Sequence, residues 1–348
     1  MTRISSALAL VLLLAARTGA AQAPPAAKPA ADSARVAELV AHARAAAGTQ
    51  WAETVDFFCG RDTARANRAD DPELTPARVF DNLYALGRTS TVIWAIKTPA
   101  GIALIDAGYP DQVESVVLPG LRKLGLDPTD VKLVLLAHGH ADHFGGAVYF
   151  QRLGARVALS AADWDLMQNP PAAPPTTAPS PAANPSPSPP GSPSAALAAL
   201  PPPKRDIIVI DGQPLELGGV SFTPVAIPGH TPGSLGFVFK VVDGDRAHTA
   251  ALFGGSILLS SRIPDAGLEQ YVRSVEHFAA VTRQLGVDVE IQNHPLYDGF
   301  EAKLAQLAAR KPGAAHPFVV GTDGYQNFLT VMGDCARVEL ERRKSAAR

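Results

Sequence analysis

Four side chains able to ligate a metal fall within six residues at His138-Gly139-His140-Ala141-Asp142-His143. Neutral imidazoles suit zinc, and a carboxylate adds a harder oxygen ligand. Gly139 lets the chain bend tightly between two of them. Two further histidines stand in comparable settings. His230 lies in Pro228-Gly229-His230-Thr231-Pro232-Gly233-Ser234, and His294 lies in Asn293-His294-Pro295. The remaining histidines, His42, His248, His277 and His316, sit in polar or helical contexts and read as surface residues.

What must position these groups is a set of strands that end at them. Residues 131–136 are a continuous apolar run, expected of a strand buried on both faces, and the four-ligand segment follows directly. Residues 220–227 lead to His230, and residues 289–292 lead to His294. In an α/β arrangement such strand ends gather on one edge, so three ligand loops converge there. Around them, residues 79–86, 91–97 and 101–106 read as strands separated by turns, followed by a helix over 111–124. Residues 149–153 and 161–167 read as helical, with a strand at 156–159 between them. Strands at 207–210, 220–227, 235–242 and 250–253 are expected to form a second sheet, with helices at 268–285, 299–310 and 325–343. Strands followed by helices, twice over, predict an α/β sandwich, two sheets face to face with helices outside.

The chain has 348 residues, 47% of them hydrophobic, enough for a sizeable core. Its formal net charge is −2 with no basic stripe, which disfavours nucleic acid as a partner. Arg3, an apolar run over 4–16 and small residues at 19–21 read as a secretory signal peptide over 1–21. The run is shorter than the ~20 residues of a membrane span. Residues 22–48 read as an Ala/Pro-rich lead-in with a helix near its end, and residues 49–348 as the folded domain. A stretch of Pro, Ala, Ser and Thr at 169–203 interrupts that domain and reads as an inserted, disordered segment. Export to the periplasm or beyond would place Cys59 and Cys335, the two cysteines of the chain, in an oxidising space. There two leftover thiols usually pair, and two buried free thiols is the other reading.

His-x-His-x-Asp-His, then Pro-Gly-His-Thr-Pro-Gly, then Asn-His-Pro, resembles the metallo-β-lactamase superfamily over about residues 79–345. The resemblance implies a four-layer αβ/βα sandwich with two zinc ions at one edge. His138, His140 and His230 would hold the first, and Asp142, His143 and His294 the second. Asp106, after Leu104-Ile105, and Thr231 would be partners of ligand histidines. At Ser256, in Phe253-Gly254-Gly255-Ser256-Ile257-Leu258, glyoxalase-II-like enzymes and lactonases of the superfamily carry a metal-bridging Asp. A Ser there, together with His143, is similar to the third subclass of class B β-lactamases, in which the Ser contacts the substrate carboxylate. Leu258 and Gly255 stand where that subclass has a second Ser and an Asp. The implied activity is β-lactam hydrolysis by a metal-bridging hydroxide oriented by Asp142, in a monomer that is free of the membrane once the signal is removed. A dizinc lactonase or other ester or thioester hydrolase is the alternative.

Overall fold

The computed structural model of the chain describes residues 33–60, 71–169, 200–258 and 263–346. The expected signal segment and nearly all of the Pro-rich stretch lie outside the described residues. Seven strands form the first sheet in chain order: β1 (Ala77–Arg78), β2 (Leu83–Gly87), β3 (Val92–Thr98), β4 (Gly101–Ile105), β5 (Val131–Leu135), β6 (Arg156–Ser160) and β7 (Ile207–Val209). The pairings from β1 to β4 are antiparallel, and those from β4 to β7 are parallel. The second sheet holds β8 (Leu215–Leu217), β9 (Val220–Ala226), β10 (Leu235–Asp243), β11 (Arg246–Phe253) and β12 (Val289–Ile291), in the order β12-β11-β10-β9-β8.

Alternation along the strands builds the layers. On β3, Val92, Trp94 and Ile96 enter the core between the sheets, while Ile93 and Ala95 face outward. That outer face is covered by α3 (Leu118–Lys123), α5 (Ala147–Arg152) and α6 (Ala161–Gln168), through Leu121, Phe150 and Trp164. A one-turn helix, α4 (Ala141–Phe144), carries the second half of the four-ligand motif. Beyond the second sheet lie α1 (Ala34–Ala47), α2 (Ala52–Phe58), α7 (Asp265–Gln284) and α9 (Thr322–Ala346), and α8 (Phe300–Ala308) packs Phe300 into the inter-sheet core. In α7, Leu268, Tyr271, Val275, Phe278 and Thr282 are buried at helical spacing, the mark of an amphipathic helix on a sheet. With helices outside two facing sheets, the fold is the expected four-layer sandwich.

Several boundaries differ from the sequence expectation. Residues 79–86 are not one strand: Leu83 N and Phe80 O close a turn at Asp81-Asn82, and β2 begins after it. The helix expected over 111–124 opens as a π turn, Val113–Val117, before α3. Pro119, in the first turn of α3, has no N–H to continue an α-helical ladder from the preceding turn. Strand β7 joins the first sheet, parallel to β6, and not the second. Helix α1 is no lead-in: Val36, Leu39, Ala43 and Ala47 pack into the core shared with α9. His316 is buried, stacked on Phe80 at 4.0 Å, with Nε2 donating to Val79 O and Nδ1 accepting from Phe318 N. Cys59 and Cys335 are disulfide-bonded, tying the end of α2 to α9 across 276 residues of sequence.

Candidate metal centre

Strands β4 and β5 run parallel in the first sheet, and β11 and β12 run parallel in the second. Strand β9 shares their direction, because β10 is antiparallel to both β9 and β11. The carboxyl ends of these strands therefore meet along one edge, where the sheets are also pinned together. Leu235 N donates to Ala137 O at 2.8 Å, and Val92 N donates to Asn293 O at 2.8 Å. His138, His140, Asp142 and His143 follow β5, His230 follows β9, and His294 follows β12. All six converge.

The donor atoms of His138, His140 and His230 lie within 4.8 Å of one another, with His230 Nε2 and His140 Nδ1 3.1 Å apart. His143 Nε2, His294 Nε2 and Asp142 Oδ2 form a second triangle with edges of 3.0, 3.2 and 3.4 Å. Zinc at 2.0–2.1 Å from nitrogen ligands in a tetrahedron sets donors about 3.3 Å apart. The second triangle and the His140–His230 distance fit that spacing. His138 adds a second sign: it is fully buried, and neither ring nitrogen has a hydrogen-bond partner among the described residues. Buried polar atoms are nearly always satisfied, so such an orphaned imidazole suits a metal ligand. His138 and His143 rings are 3.9 Å apart between centroids, so the two ligand sets adjoin.

Electrostatics sets His143 apart from His138, His230 and His294. Burial and the neighbouring imidazoles hold His138 well below the usual histidine range and push His230 down to about 3, leaving their lone pairs free. Burial would also lower His143, but Asp142 and Asp106 raise it to about 10. Burial would raise Asp142, but His143, His294 and His140 hold it well below the usual carboxylate range. Asp142 is partly exposed whereas His143 is not, so water reaches the carboxylate.

Other side chains orient the ligands. Asp106 Oδ2 is 2.7 Å from His143 Nδ1. His294 Nδ1 pairs with Ser90 O at 2.6 Å, and His230 Nδ1 with Ile257 O at 2.8 Å. Thr231 partners no histidine. Its Oγ1 donates to Asp163 Oδ2 at 2.6 Å, because α6 comes between its loop and the His138–His140 loop. Ser256 is fully buried, with the equally buried Tyr297 hydroxyl beside it. The loop after β11 turns inward there, and the Tyr271 hydroxyl donates to Ser256 O. Its hydroxyl is thus not placed to meet a substrate from solvent. Asp163 and Asn293 were missed from the sequence. For Asn293, adjacency to His294 was the available signal.

The chain matches the Metallo-beta-lactamase superfamily over residues 85–281, more than half its length, and it belongs to that superfamily. The fold is that of this superfamily, and the site holds two adjoining sets of side chains able to bind metal. Among solved structures it is similar to BJP-1, a subclass B3 metallo-beta-lactamase of Bradyrhizobium japonicum, at 24% identity and a TM-score of 0.62 over 79% of this chain and 97% of that one. It is also similar to the native FEZ-1 metallo-beta-lactamase of Legionella gormanii, at 21% identity and a TM-score of 0.60 over 79% and 99%. Among curated proteins it is similar to a hydroxyacylglutathione hydrolase of Acidiphilium cryptum, 31% identical over 156 residues (44% of this chain, 45% of the relative). A hydroxyacylglutathione hydrolase of Pseudomonas putida is 26% identical over 202 residues (56% and 59%). The chain spans about half the length of the curated relatives it matches.

Proposed function

We propose that this chain opens the ring of β-lactams by hydrolysis at two zinc ions, acting as a monomer in the periplasm or outside the cell. The carrying observation is the pair of adjoining ligand sets, with a serine and not a carboxylate at position 256. Ser256 stands where thioester and lactone hydrolases of the superfamily have a bridging Asp, and a neutral hydroxyl cannot readily replace it. The structural likeness to subclass B3 enzymes supports the same reading of the substrate.

His138, His140 and His230 would hold the first ion, and Asp142, His143 and His294 the second. Zinc bound there supplies Lewis acidity toward the scissile carbonyl and lowers the pKa of water into the neutral range. The chain's own groups do the rest. Asp142 is ionised and open to water, so its carboxylate accepts a hydrogen bond from the attacking water and aims it. Burial of His138 and His143 keeps bulk water from the inner side of the site. No nucleophilic side chain is required, and no covalent intermediate with the chain forms.

The curated relatives favour a second reading, hydrolysis of a thioester. A panel of a penicillin, a cephalosporin, a carbapenem, a lactone and a glutathione thioester, each with and without chelator, separates the two. Chelator-sensitive lactam turnover that resists serine-directed acylating inhibitors is expected. Efficient thioester cleavage by zinc-loaded protein with no lactam opened would replace the first reading by the second.

A further inference from the structure

Each ligand set leans on a different buried carboxylate. For the second set it is Asp106. For the first set the corresponding group is Asp163, on the first turn of α6, which bonds the loops that carry the ligands. Asp163 is fully buried. Its Oδ2 accepts from Gly139 N at 2.7 Å and from Thr231 Oγ1 at 2.6 Å, and its Oδ1 accepts from Gly233 N at 2.7 Å. Gly139 lies between ligands His138 and His140, and Thr231 follows ligand His230. One carboxylate thus bridges the two loops that bring the first set together.

The surrounding packing is built for that bridge. Ser160, the N-cap of α6, accepts from Asp163 N at 3.2 Å and fixes the turn on which Asp163 sits. A Cβ on Gly139 would lie 2.9 Å from Asp163 O. A Cβ on Gly233 would overlap Ser160 Oγ and lie 2.8 Å from Asp163 N. Both loops therefore approach α6 as closely as backbone allows, and glycine is required at both positions. Ser234 Oγ completes the arrangement, 2.6 Å from Thr231 Oγ1 and accepting from Thr231 N at 3.1 Å.

We propose that Asp163 is the positioning residue of the first metal site, setting the spacing of the His138–His140 loop against the His230 loop. The inference rests on the two-site reading of the histidines above and not on the lactam substrate. Asp163 acts on the first site alone, because His143 and His294 are oriented by Asp106 and Ser90 instead. Replacing Asp163 by Asn turns one acceptor oxygen into a donor facing donors, and the two loops lose their common anchor.

The test is zinc competition against a chromophoric chelator on metal-stripped chain. In a His294→Ala background the first site is read alone, and in a His230→Ala background the second. Asp163→Asn should weaken the first site about 10–100-fold and leave the second unchanged. Thr231→Val, which removes one of the three donors, should shift the first site in the same direction by less. The cobalt-loaded first site of Asp163→Asn should change its visible absorption. Equal weakening of both sites overturns the proposal. So does an unchanged first-site affinity with only a lower Tm of the metal-free chain. If Asp163→Asn does not fold, Thr231→Val decides: an unchanged first-site Kd overturns the proposal. Fewer than two ions on the unaltered chain would instead remove the two-site reading, and this inference with it.

Discussion

Asp106 Oδ2 lies 2.7 Å from His143 Nδ1, both side chains have no exposed surface, and Asp106 holds this contact with a backbone φ of 63°. It is the one non-glycine with positive φ among the described residues. Such a conformation costs on the order of 1–3 kcal/mol, and Asp and Asn tolerate it better than other side chains. The strain is offset by three bonds: Oδ1 accepts from Ala137 N at 2.8 Å, and Oδ2 also accepts from Asn293 Nδ2 at 3.1 Å. One residue thereby joins the ends of β4, β5 and β12. Asp106→Asn keeps a residue that accepts this backbone but removes the anionic acceptor behind His143. Metal affinity at the second site should fall about 10–100-fold, read by chelator competition.

Ligand removal should separate the two sites. The second triangle loses a corner in His143→Ala or His294→Ala, and the first triangle is intact in both. Elemental analysis after zinc saturation and dialysis should give two ions per chain for the unaltered protein and one for either variant. Two retained ions in His294→Ala would remove that histidine from the ligand set.

Ser256 should be silent in substrate binding. Its Oγ is fully buried beside the Tyr297 hydroxyl, so truncation removes a group turned away from solvent. Ser256→Ala should leave KM for lactams unchanged. A marked rise in KM would show that the loop after β11 turns outward when substrate binds.

The Cys59–Cys335 bond closes a 276-residue span and staples α2 to α9. Its loss should cost about 2–4 kcal/mol, and lower Tm by about 3–6 °C. Melts of Cys59→Ser with Cys335→Ser, beside thiol titration of the unaltered chain under denaturing, non-reducing conditions, check both halves. No free thiol is expected.

Asp243 and Arg310 form a two-pronged ion pair, with Nη1–Oδ1 2.8 Å and Nη2–Oδ2 2.6 Å, tying the end of β10 to the chain after α8. Arg310 holds the Asp243 carboxyl below its ordinary value of 3.8. A carboxylate with a lowered folded pKa contributes stability above its unfolded pKa and loses it as pH falls through the folded one. Asp243→Asn should therefore cost about 0.5–1 kcal/mol near neutral pH. That cost should vanish at pH values well below 3.8, as urea unfolding across pH would show.

The metal ligands were legible because their chemistry is local. Four lie within six residues, and the other two close off apolar runs, so residue type and position after a strand sufficed. The layered fold was legible for the same reason, in the alternation and apolar runs that make a sheet bury both faces. Asp163 was not legible. Its partners lie 24, 68 and 70 residues away, and Ser160-x-x-Asp163 by itself announces only the start of a helix. At Ser256 the resemblance implied a contact with the substrate carboxylate, and only the path of the loop after β11 shows that its side chain is buried. The sheet that β7 joins was likewise beyond a linear reading, since a three-residue strand pairs with whichever edge its flanking anchors present. Here Trp164 Nε1 donating to Ile207 O, and Gln151 bonding Lys204, deliver it to β6. Sequence determined which atoms could bind metal and that strands would carry them to one edge. Tertiary structure decided which buried carboxylate holds each ligand loop, because a hydrogen bond of 2.7 Å depends on where distant segments pack and leaves no trace in local composition.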